Sequence, residues 1–119
     1  MQHCLAEECK WMLEKGVFDI QGIALSIVRA ERANQDAKWG EQNHSWSEWA
    51  TILGEEYGEF CEAVNETVLN NKTKLEIGGM DNMLKEAIHT AAVAVEIIEH
   101  ILKGMQNEQR RNCEDLQGV

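Results

Sequence analysis

Two stretches of this chain repeat their apolar residues at helical spacing, and each sets a glutamate in the middle of the stripe that must turn inward. In Ser45–Asn70, laid out at about 100° per residue with Glu56 at zero, Trp49 falls at about +20°, Ile52 at about −40° and Leu53 at about +60°. Phe60 falls at about +40° and Ala63 at about −20° on the same wheel, so Glu56 points along the packed side. Glu59 lies about 60° away, at the border of the stripe, while Glu55, Glu62 and Glu66 fall further round where water reaches them. The second stretch is "LKEAIHTAAVAVEIIEH", Leu84 to His100. With Glu86 at zero, Thr90 lies at about +40°, Val93 at about −20° and Ile97 at about +20°. His100 lies at about −40° and His89 at about −60°, on the same side. An ionised carboxylate in such a place is costly unless it is paired, hydrogen-bonded or bound to a metal. A fold that buries both stripes must therefore answer both acids.

The rest of the chain favours helix as well. It has 119 residues and no proline, and its alanines and long side chains lose little entropy in a helix. That length suits a single domain spanning 1–119. Residues 1–15 read as a short first helix ending at Gly16, and Val17 to Ala37 keeps helical spacing through Ile20, Ile23, Ala24, Ile27, Val28 and Ala30. Gly40 ends that segment and "GEQNHS" follows as a loop. Ser45 and Glu48 form S-x-x-E, a capping box ahead of a helix that runs to Asn70. "NNKTKLEIGGMD" is a polar connection broken at Gly78 and Gly79. Asp81 is the expected N-cap of a helix to Lys103, stopped by Gly104. Segments 1–16 and 104–119 are expected to be peripheral or partly flexible. The expectation is an all-α bundle of four to five helices.

The formal net charge of −10 argues against nucleic-acid polymers, which need clustered Lys and Arg. It leaves room for nucleotides if a divalent cation stands between the two sets of negative charge. Cys4, Cys9, Cys61 and Cys113 show no C-x-x-C pair and no zinc spacing, as expected of free thiols in a reducing compartment. The first residues, "MQHCLAEECK", lack the basic and apolar regions of a signal peptide, and no apolar run reaches membrane-spanning length. A cytoplasmic protein without membrane contact is the expectation.

The two inward acids each have a second ligand-type residue three positions on: Glu56-x-x-Glu59 and Glu86-x-x-His89. Residues three apart share a helix face, so antiparallel packing would gather three carboxylates and an imidazole. Such a group repels itself unless cations bind, and oxygen-rich ligation suits Mg²⁺ or Mn²⁺. The helix carrying Glu86 is also apolar on its other sides (Ala87, Ile88, Ala91, Val95, Ile98, Leu102), which points to burial in a bundle or a subunit interface and to at least a homodimer.

At these residues the chain resembles the MazG-like, all-α nucleoside triphosphate pyrophosphohydrolases, whose signature is E-E-x-x-E on one helix and E-x-x-D on a later one. "EEYGE" supplies the first part at Glu55, Glu56 and Glu59, and Glu86 opens the second. "ERANQDAKWGEQNHSW", Glu31 to Trp46, with "AAVAVE" is similar to a small phage- and bacterium-associated branch of the family. The resemblance spans roughly Ile20 to Leu102. It implies Glu56, Glu59 and Glu86 as magnesium ligands, hydrolysis between the α and β phosphates of a nucleoside triphosphate, and a homotetramer as the larger assembly. Where the family has its final Asp, this chain has His89, a poorer ligand for Mg²⁺ than for Mn²⁺. Metal choice and activity turn on that position.

In such an enzyme Glu59 or its neighbour Glu55 would orient the attacking water. The K-W-G-x-Q segment offers substrate contacts: Lys38 to a phosphate, Trp39 stacked on a base, Gln42 or His44 at base edges. Trp46 and Trp49 are expected to be buried anchors of the loop. Two other readings compete. Glu86 and His89 make half of a bundle di-iron site, which needs a second E-x-x-H pair that only a symmetric dimer would add. A non-catalytic member of the same fold would bind nucleotide or serve assembly.

Overall fold

The computed structural model describes residues 19–70 and 80–117, with Glu14 and Gly16 besides. They form helix α1 (Ile20–Trp39), helix α2 (Trp46–Asn70) and helix α3 (Met80–Gln117), and no strand occurs among the described residues. The all-α class is as expected. The first helix expected over residues 1–15 and the connection 71–79 lie outside the described residues.

Local chemistry sets the helix ends. Asp19 caps α1: its carboxylate accepts from the Gly22 amide at 2.9 Å. A Cβ at 22 would meet that carboxylate, which would have to shift to keep the cap. The expected start at Val17 is therefore too early, because Asp19 already satisfies the first free amide. Gly40, at φ 67°, closes α1 by returning its N–H to the Asp36 carbonyl, a left-handed turn that suits a residue without Cβ. The Ser45 capping box forms as read: the Glu48 amide donates to Ser45 Oγ at 3.2 Å and the Ser45 amide donates to Glu48 Oε1 at 3.0 Å.

Two boundaries of α3 correct the expectation. The helix begins at Met80, so Asp81 sits in its first turn rather than at the cap, where a carboxylate still meets the positive end of the helix. It also passes through Gly104 and continues to Gln117. Glycine costs a helix interior only about 1 kcal/mol, and the residues after it are mostly good helix formers. Nothing crowds Gly104.

Helix α3 is the element on which the other two lie, and α1 and α2 touch it far more than each other. Helix α2 runs antiparallel to it: Thr90 meets the Glu56 carbonyl and His100 packs on Trp49. Helix α1 runs alongside, with Glu31 opposite His89 and Glu41, just past its end, opposite Lys103. The buried residues between them are Ile27, Trp49, Ala63, Ala92 and Val93, joined by Glu31, Arg32, Thr67 and Glu96. A core so rich in charge needs internal pairing.

Arg32 provides it for one end. Its guanidinium donates to both Glu99 oxygens, at 2.7 and 3.2 Å, and stands 3.0 Å from Asp36 and 3.7 Å from Glu96. The Arg32 hydrogen bond holds the Glu99 carboxyl below its ordinary value, and the same bond raises Arg32. Arg32→Ala would leave buried Glu96 without its counter-charge and is expected to cost about 3 kcal/mol, the low end for breaking a buried pair because Glu99 is partly exposed. Urea denaturation measures this, and Arg32→Lys should recover only part, since an ammonium lacks the fork. A depressed carboxyl stabilises the fold above its ordinary value of 4.5 and loses that contribution as pH falls. The alanine variant should therefore lack this share of the wild type's acid sensitivity.

Candidate functional site

About two turns back along α3 from Glu96 lies a second set of charges. Glu56 from α2 and Glu86 and His89 from α3 bring ligand atoms to within 4.8 Å of one another. The helices are held in register there by Thr90, whose hydroxyl lies 2.8 Å from the Glu86 carbonyl and 3.2 Å from the Glu56 carbonyl. Glu31 joins from α1, its Oε2 3.6 Å from His89 Nε2, while Glu86 Oε2 stands 3.8 Å from His89 Nδ1. Neither separation is a hydrogen bond. Glu56 Oε2 and Glu86 Oε2 are shut off from solvent and have no hydrogen-bond partner.

The charges do not cancel. Glu31, Glu56 and Glu86 bring three negative charges to the cluster. Among the described residues, the cations at ion-pair distance are an imidazole, if protonated, and the half-exposed Lys85, 4.0 Å from Glu86 Oε1. One negative charge remains even when both are counted. Burial pushes the Glu56 carboxyl above its ordinary value, reinforced by Glu59, Glu86 and Glu55 and opposed by His89. Two carboxylates and one imidazole, with two oxygens left unbonded, are a donor set of the kind that holds a divalent cation.

The cluster opens on a cleft of about 340 Å³ between α1 and α2. Lys38, Trp39 and Gln42, the residues expected at the substrate, line this same cleft with Glu31, Glu56 and His89. Lys38 Nζ lies 4.6 Å from the centre of the exposed Trp39 ring. His44 stands behind rather than in the cleft: its Nε2 is 3.3 Å from Gln42 Oε1 and its ring meets Trp49 edge-on at 4.8 Å. Trp49 is buried as expected, but Trp46 is 60 % exposed. Trp46 is the first residue of α2, ahead of the turn that packs on α3.

Of the expected ligands, Glu56, Glu86 and His89 come together. Glu59 and Glu55 are exposed on α2, near enough to bear on the Glu56 carboxyl but outside the cluster. Among the described residues, His89 is the only imidazole in the cluster; His100 packs on Trp49 instead. A second E-x-x-H pair is thus missing from this group. Sequence reasoning missed Glu31, Asn34 and Gln35 in the cleft wall. The signal for Glu31 was present, since it sits about 40° from Ile27 and about 20° from Ala24 on the α1 wheel. No family model, curated protein or solved structure matches the chain.

A raised carboxyl means that the fold binds that proton more tightly than the unfolded chain does, so charge on Glu56 opposes folding as pH rises above 4.5. Without divalent cations, Glu56→Gln is therefore expected to melt above the wild type at pH 7, with the difference closing towards pH 4. Thermal melts across that range in chelator would check the sign.

Proposed function

We propose that this chain is a divalent-cation-dependent hydrolase of nucleoside triphosphates, releasing pyrophosphate and a nucleoside monophosphate. One observation carries the reading: buried, unbonded oxygens of Glu56 and Glu86 stand beside a cleft whose wall also presents Lys38, Trp39 and Gln42. The resemblance to the MazG-like enzymes supports the same substrate class and bond. Glu56, Glu86 and His89 would hold the cation. A divalent cation there would neutralise phosphate oxygens and lower the pKa of a bound water, so that hydroxide is supplied near neutral pH. Glu59 or Glu55, exposed beside Glu56, would orient that water. Lys38 would meet a phosphate, Trp39 would stack on the base, and Gln42, with His44 behind it, would read a base edge.

The test is pyrophosphate release across a panel of nucleotides with Mg²⁺ or Mn²⁺. Glu56→Gln should lower turnover at least about a hundredfold, the scale of losing a key electrostatic group. His89→Asp should raise activity with Mg²⁺ and narrow the wild type's preference for Mn²⁺. Nucleotide binding without turnover would instead favour a non-catalytic member of the fold, and iron in the purified protein would favour the di-iron reading.

The proposal includes self-association. Leu84, Ile98, Ile101, Leu102 and Met105 are exposed on α3, on the side away from Glu96 and His89. A second copy of the chain would cover this stripe. Light scattering at micromolar concentration should give at least a dimer, and a monomer mass would reject this part of the reading.

A further inference from the structure

Glu31 is the buried carboxylate of α1. Its side chain is 9 % exposed, deeper than a carboxylate stays without compensation. The adjacent Arg32 does not serve it; that guanidinium is turned to Gln35, Asp36, Glu96 and Glu99. The polar atom facing it is His89 Nε2, at 3.6 Å, too far for a hydrogen bond. The spacing to His89 suits two ligands of one ion, while Glu56, Glu86 and His89 gather within 4.8 Å of one another without Glu31, so Glu31 reaches such an ion by turning its carboxylate inward. Donors about 2.1 Å from a cation stand about 3 Å apart when adjacent and about 4.2 Å apart when opposite. Glu31 also borders the same cleft as Glu56 and His89. The independent sign that something binds there is the pair of buried, unbonded oxygens on Glu56 and Glu86.

We propose that Glu31 is a cation ligand, so that the centre is assembled from three helices rather than two. This rests on the cation reading of the proposed function. The E-E-x-x-E resemblance assigns a carboxylate to Glu59, which is exposed; Glu31 fills the missing place from the opposite wall. Bound cation then bridges α1 to α2 across the cleft, where the two helices scarcely meet directly.

Mn²⁺ alone is the probe, titrated into the full chain and followed by loss of the free-ion electron paramagnetic resonance signal. Glu31→Gln should weaken Mn²⁺ binding at least about tenfold, and Glu59→Gln should weaken it less. Circular dichroism shows whether each variant stays helical. If Glu31→Gln does not fold, Glu31→Asp keeps the charge, withdraws it by one methylene, and should still weaken binding. Amide exchange gives a second readout: Mn²⁺ should slow exchange in α1 of the wild type and not of Glu31→Gln. Equal Mn²⁺ affinity in the wild type and a folded Glu31 variant overturns the proposal and leaves the proposed function standing. A larger loss from Glu59→Gln than from Glu31→Gln also overturns it. A wild type that takes up no Mn²⁺ overturns both.

Discussion

The inward side of α3 carries negative charge at two levels, and the protein treats them differently. At Glu96 and Glu99 the charge is met by a buried guanidinium with two hydrogen bonds to one carboxylate. At Glu86, with Glu31 and Glu56 facing it, the chain supplies an imidazole and a half-exposed lysine, and leaves two oxygens without partners. Buried carboxylates without compensation cost several kcal/mol each, so this imbalance governs what else the structure must do. The arginine level fastens α1 in place; the acid level keeps an electrostatic debt that an external cation would settle.

Because α1 and α2 both lean on α3, the space between them is free to be a cleft. Its floor comes from Val93 and Glu96 of α3, and its walls from residues that recur every three or four positions along α1: Glu31, Asn34, Gln35 and Lys38. That recurrence is the helix period, which sets successive side chains on one face at about 1.5 Å of rise per residue. A single helix wall thus presents an acid at one end and a cation beside an indole at the other, about 10 Å apart. Gly40 turns the chain at the end of this wall, so that Gln42 returns to the same cleft.

Much of this is legible in the sequence. The angular position of Glu56 and Glu86 within apolar stripes identified two of the acids that meet, and the S-x-x-E pattern located the start of α2 to the residue. Periodicity succeeds there because the neighbours on the wheel are large and apolar. It is weaker on α1, where Ile20 and Leu25 are exposed and the stripe is narrow. Glu31 was passed over for that reason, although its angle to Ile27 is as telling as that of Glu56 to Ile52. The Arg32 network could not have been read, since it joins residues 67 positions apart and depends on how the helices cross. Gly104 misled because glycine disfavours a helix without forbidding one. Trp46 misled because hydrophobicity alone does not reveal that a helix's first residue projects beyond its neighbours.

The passage of α3 through Gly104 has a further consequence. Residues 106–116 are exposed throughout, so their helix rests on its own backbone hydrogen bonds, while the turns from Glu86 to His100 are covered by two other helices. A short, solvated helical end opens with a free energy near zero, and a packed segment opens only with much of the domain. Helix α3 is therefore continuous in shape but graded in stability, with slow amide exchange around Ala92 and Val93 giving way to rapid opening towards Gln117.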